Sequence, residues 1–162
     1  MLINCDYQLT HEQKKYDNRK DVVLSVHPRY ISEIIAGRKT VELRRKPPNR
    51  ISAGSRLYFY STSPVQALVA VGEVEKIDTQ SIGQLWQRFA DKACISKSDF
   101  EKYFFGLQFG SAISLKGIRT IEPALSREFL KKSIGFTPPQ SYMYMKEEFY
   151  TLFDSGPNKI SY

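Results

Sequence analysis

Apolar residues along the chain alternate with polar ones in some stretches and recur every three to four positions in others. Val22–His27 (VVLSVH) is rich in β-branched residues and predicts a buried strand. Pro28 stands where a helix can begin, because its missing N–H is not needed in a first turn. Tyr30, Ile31, Ile34 and Ile35 carry helical spacing, and Gly37 predicts a left-handed stop. Thr40–Lys46 (TVELRRK) then alternates, with Val41 and Leu43 on one face and Thr40, Glu42 and Arg44 on the other. Pro47 and Pro48 end it. Arg56–Thr62, Val65–Ile77 and Phe109–Ile121 predict three further strands, with Gly72 marking a bulge in the second of them.

Ile82–Ala90 and Lys97–Phe104 predict two short helices, the second capped by Ser96 or Ser98, and Gly106 closes the pair. Trp86, Phe89, Phe100, Phe104 and Phe105 fall at helical spacing and are assigned to the core. Ser126–Lys132 predicts a helical turn. The spacing Tyr142, Met145, Phe149, Leu152 predicts a helix starting at Tyr142. Long strands without regular βα alternation imply an α+β domain: a curved sheet or small barrel of five or more strands with short flanking helices. The expected organisation is an N-terminal arm over 1–21, one domain over 22–153 and a loose tail over 154–162.

Composition fits one soluble domain, with 162 residues, 41% hydrophobic and 13% aromatic. No run of 18 apolar residues occurs, so no membrane helix is expected. The opening MLINCDYQLTHEQKK carries no signal-peptide pattern, which places the expected location in the cytoplasm. Cys5 and Cys94 form no spaced motif. His11 and His27 stand too far apart for a common zinc site and read as surface or capping residues. No metal or cofactor is expected.

Charge changes the picture. The chain carries +7 from 24 basic and 17 acidic residues. Residues 37–56 hold Arg38, Lys39, Arg44, Arg45, Lys46, Arg50 and Arg56 against Glu42 alone, a balance of +6. A concentrated positive field attracts anions, phosphate-bearing partners above all. Glu42 and Arg44, two apart on a strand, share a face, and Lys39 just precedes that strand. Arg can hold a phosphate or base edge bidentately, Lys adds a point charge, and Glu accepts from an exocyclic amine.

The same segment, Gly37-Arg38-Lys39-Thr40-Val41-Glu42-Leu43-Arg44, matches Gly-x-Lys-x-x-Glu-x-Arg and resembles the signature of the ASCH domain family, a branch of the PUA-like superfamily. The flanking LSVHPRYISEIIAG and LYFYSTSPVQALVAVGEVEKI are similar to that family's first strand and helix and its next two strands. Pro138-Pro139-Gln140-Ser141-Tyr142 is similar to an ending found in one branch, so the resemblance spans roughly residues 22–145. It implies a small β-barrel whose motif residues line a cleft. It also implies RNA or nucleotide as partner.

The resulting expectation is an RNA- or nucleotide-binding module, with a regulatory role open. Lys39, Glu42, Arg44, Ser61 and Thr62 are its ligand residues, and Arg45, Lys46, Arg50 and Arg56 its backbone contacts. The alternative is an enzyme using the same cleft with Lys39 as its catalytic group, either an amidohydrolase on N4-acylated cytidine or a ribonuclease. Amidohydrolase relatives pair a Lys with a Thr three residues later and a distal acid. Here Glu42 occupies the Thr position, and Asp91, Asp99 and Glu101 compete for the acid. A ribonuclease would pair Lys39 with Tyr58 or Tyr60, although both also read as packing under a helix.

Overall fold

Residues 20–154 are described by a computed structural model, and every strand read from the alternation is present in it. The elements are β1 (Val22–Val26), α1 (Pro28–Ile35), β2 (Val41–Arg44), β3 (Arg56–Ser61), β4 (Ala67–Ser81), α2 (Ile82–Ala93), α3 (Lys97–Tyr103), β5 (Phe109–Ser126), α4 (Arg127–Ile134), β6 (Tyr142–Tyr144) and α5 (Glu147–Asp154). The tail expected from 154, beyond the helix end, and the arm up to residue 19 lie outside the described residues. Asp21 is tied in firmly. Its carboxylate accepts from Arg56 N at 2.7 Å and from the Tyr150 hydroxyl at 3.0 Å.

Six strands form one curled half-barrel sheet in the order β2-β5-β4-β3-β1-β6. All pairings are antiparallel except β1 with β3. The long β4 and β5 form the spine. Their register shifts between Val71 and Glu73, so the bulge expected at Gly72 is there. A Cβ at Gly72 would run into the Ile118 side chain. Such irregularities bend a strand and raise its twist, which curls the sheet.

Alternation sorts the side chains into separate cores. On β3, Leu57 and Phe59 enter the cluster inside the curl, while Tyr58 and Tyr60 enter a second cluster beneath α4 and α5. On β2, Val41 and Leu43 join Leu85, Phe89, Phe100 and Phe104 of the α2–α3 layer. Phe105 departs from its core assignment, being 83% exposed in the turn after α3.

The helices follow their signals. Ser96 caps α3 by accepting from Asp99 N, and Ser126 caps α4 by accepting from Phe129 N. The one mistaken element is the segment from Tyr142. Tyr142–Tyr144 is a strand that pairs Met143 with Val23, and the helix starts only at Glu147. β1 would otherwise present an unpaired edge, and its free backbone groups recruit the segment against its helical spacing.

Candidate functional site

After α1 the chain turns back at Gly37, whose φ of +73° suits glycine. Arg38 N and Lys39 N both donate to Glu33 O, at 3.0 and 2.9 Å. This turn drives Lys39 inward, leaving it 4% exposed. Its ammonium donates to Val41 O and Ala93 O, each at 2.9 Å, and lies 3.2 Å from Glu42 Oε2. Ala93 ends α2, so one acceptor is a terminal helix carbonyl, where a cation is favoured. The Tyr30 ring centroid is 5.1 Å away. Three acceptors match three N–H donors, so the ammonium has no donor left over for a substrate.

Glu42 is shared. Its Oε1 lies 3.1 Å from Arg44 Nη2. Arg44 Nη2 also donates to Ser25 O at 3.3 Å, and Nη1 donates to Ser141 Oγ at 3.1 Å. β2 is one edge of the sheet, and Ser141 directly precedes β6, the other edge. The curl therefore brings the two edges within one arginine side chain of each other. Arg44 Nε is buried with no hydrogen-bond partner among the described residues. Two cations on one carboxylate leave this wall with a net positive charge.

The wall borders a cleft of about 980 Å³. Five cationic side chains (Arg29, Lys39, Arg44, Arg45 and Lys46) line it against two carboxylates, Glu42 and Asp99. The structure thus gathers Lys39, Glu42, Arg44, Arg45 and Lys46, with Arg45 and Lys46 exposed. It does not bring Ser61, Thr62, Arg50 or Arg56 to the cleft lining. Ser61 is buried at the end of β3, and Thr62 N donates to Val26 O. The Arg50 guanidinium lies 6.0 Å from the Tyr144 ring centroid, and Arg56 starts β3 opposite Glu73.

Tyr58 and Tyr60 face away from the cleft, in tilted contact with the Phe153 and Phe136 rings, and burial pushes the Tyr60 phenol up. A pairing of either with Lys39 across the cleft is therefore corrected, because strand alternation sends them to the opposite face.

The sequence reading took His27 as a surface or capping residue and Asp99 as one of three candidate acids, and it placed neither Tyr103 nor Gln140 in the site. His27 caps α1, its Nδ1 accepting from Arg29 N at 3.2 Å, and it also faces the cleft. Of the three candidate acids only Asp99 lines the cleft. Its carboxyl is held below the usual range, first by a hydrogen bond involving Ser96 and then by Arg29 at 2.9 Å. The Tyr103 phenol is pushed up, mainly by burial, and its oxygen accepts from Arg45 N at 3.4 Å. Gln140, Ser141 and Tyr142 also line the cleft. The available signal for them was the Pro-Pro-Gln-Ser-Tyr segment, noted without a role. Among the described residues no group of three or more His, Cys, Asp or Glu side chains gathers to hold a metal.

The model of the ASCH domain matches residues 24–138. A protein of Zymomonas mobilis subsp. mobilis, named ASCH domain-containing ribonuclease, is 30% identical over 131 residues, covering 81% of this chain and 88% of its own. The crystal structure of ASCH from Zymomonas mobilis superposes with a TM-score of 0.77 at 30% identity, covering 83% of this chain and 94% of that one. Human THYN1, crystallised with DNA containing 5-methylcytosine, shares the fold at a TM-score of 0.51 and 13% identity, over 82% of this chain and 94% of its own.

Proposed function

This chain belongs to the ASCH domain family, and from that premise we propose that its cleft binds RNA, with phosphates drawn to Arg45 and Lys46 and a base or nucleotide admitted beside the Lys39–Glu42–Arg44 wall. The observation that carries the reading is the five-to-two excess of cationic over acidic side chains around one cleft. Low-dielectric walls focus such a field onto an anion. Exposed Arg45 and Lys46 are free to follow a phosphate backbone. Buried Arg44 is already committed to Glu42, Ser25 and Ser141, so it holds the cleft's two edges together and supplies field rather than the main contact.

The test is anisotropy titration of a labelled oligoribonucleotide across salt concentrations. Affinity should fall steeply with salt, and Lys46→Ala should reduce the slope of log K against log salt by about 0.7, one single-strand phosphate contact. A salt-independent affinity, or a slope untouched by Lys46→Ala, would remove the cleft from the binding.

Cleavage of the bound RNA is the second reading, favoured by the name of the Zymomonas relative. His27 and Tyr103 are the cleft groups to test as proton carriers, since Lys39 is saturated with acceptors. Incubation of RNA with wild type, His27→Ala and Tyr103→Phe, followed by end-group analysis of the products, separates binding alone from hydrolysis.

A further inference from the structure

β5 outruns β2. The last paired residue of β2 is Arg44, opposite Ser111, and Glu42 is opposite Ile113. Directly opposed residues share a face, and so do residues two apart on a strand. Phe109 therefore projects from the same face as Ser111, Glu42 and Arg44, just beyond the end of β2. Gly110 explains why the ring goes there. Its other face is filled by the α2–α3 layer, where a Cβ would collide with the Phe104 ring and come within 2.9 Å of Leu85 Cδ1. Phe109 is left 60% exposed.

A second ring stands close by in the chain. Phe105 is 83% exposed, in the turn between Tyr103 and Leu107, both of which line the cleft. Ile35, Val65 and Phe129 are also exposed but sit on separate segments. Phe105 and Phe109 share one segment: Phe105 sits between two cleft-lining residues, and Phe109 lies just past the end of β2, where the chain continues into Arg45 and Lys46. Ser111 and Thr79, whose hydroxyls are 2.8 Å apart, continue the same face with polar groups.

We propose that Phe105 and Phe109 form a stacking platform for the unpaired bases of a single-stranded RNA whose phosphates run along Arg45 and Lys46. The proposal rests on the RNA-binding reading and deepens it, since it names an unpaired strand as the preferred partner. Flat exposed rings beside a cationic rim match a chain that offers a π-face and a phosphate in every repeat. Base pairing hides those faces, so a duplex cannot use the platform.

The experiment compares wild type, Phe105→Ala/Phe109→Ala, Phe109→Leu and Lys46→Ala. Each is titrated with a single-stranded oligouridylate, the same oligomer carrying abasic positions, and an RNA duplex. The double variant should lose about 30-fold or more in affinity for the single strand with an unchanged salt slope. It should not distinguish the abasic oligomer from the intact one, although wild type does. Phe109→Leu keeps an apolar side chain of similar reach and should still lose part of that discrimination. Circular dichroism confirms that each variant is folded. Salt-dependent single-strand binding that is indifferent to both Phe substitutions would overturn the platform and leave the cleft reading standing. A wild type that binds no RNA at any salt would overturn both.

Discussion

Two carboxylate–guanidinium pairs lie close together in this chain and behave as opposites. Glu33 and Arg38 meet at 2.6 Å with side chains 31% and 64% exposed. Glu42 and Arg44 meet at 3.1 Å with side chains 10% and 6% exposed. The shorter contact is the less consequential one. Water and salt screen the exposed pair, and either partner can return to solvent when the other is removed. The buried group has no such retreat. Lys39, Glu42 and Arg44 have been taken out of water together: the carboxylate holds both cations, and each cation also donates to backbone carbonyls. Distance alone ranks the pairs wrongly, because the dielectric around a pair decides its effect.

The most severe way to test this contrast is Glu42→Ala, which strands two cations in the wall. Loss of the shared partner should cost about 3–5 kcal/mol in chemical denaturation. Glu42→Gln keeps the shape and some hydrogen bonding and should cost less. A loss from Glu42→Ala as small as that from Glu33→Ala would show that water reaches the wall.

Arg44→Ala comes next. It leaves Lys39 and Glu42 balanced and removes the orphan Nε, so its stability cost should be below that of Glu42→Ala. Its effect on RNA affinity should be about tenfold, or 1.4 kcal/mol, because the two sheet edges lose their bridge. Arg50→Ala, outside the cleft lining, should change affinity less. Equal effects from the two would reduce the interaction to a diffuse basic surface.

Hydrolysis offers a narrower test. Wild type should turn over N4-acetylcytidine slowly or not at all, because the Lys39 ammonium is saturated with acceptors. Glu42→Thr frees one of those three positions and should raise any rate. Rapid wild-type hydrolysis that Lys39→Ala abolishes would contradict the account of that amine.

The smallest effect belongs to the exposed pair. Arg38 holds the Glu33 carboxyl below its ordinary 4.5. A lowered folded-state pKa gives stability that is present above the ordinary value and lost as pH falls through the folded one. Glu33→Gln should therefore flatten the acid side of the stability profile slightly and leave neutral pH nearly unchanged. A large change at neutral pH would show that Glu33 matters through its backbone contacts in the turn at Gly37.

Much of this molecule was legible in residue order. Local rules placed β1 through β5, a serine cap at Ser96 or Ser98, the stop at Gly37 and the bulge at Gly72, because alternation, capping and turn chemistry act over a few residues. The same alternation put Val41 and Leu43 in the core and Glu42 and Arg44 together on the other face. The basic stretch identified Arg45 and Lys46 but carried Arg50 and Arg56 along with them, because charge counting is blind to where a chain turns.

What only the tertiary structure decided were contacts over long separations. Ser141 stands 97 residues from Arg44, and no periodicity links them. They meet because bulges curl the sheet until its edges approach. Tyr142–Tyr144 became a strand against its own spacing because the edge of β1 needed a partner. Phe109 stayed in solvent because the volume behind Gly110 was already filled. Sequence set which residues each local element offers, and the closing of the sheet decided which of those offers meet.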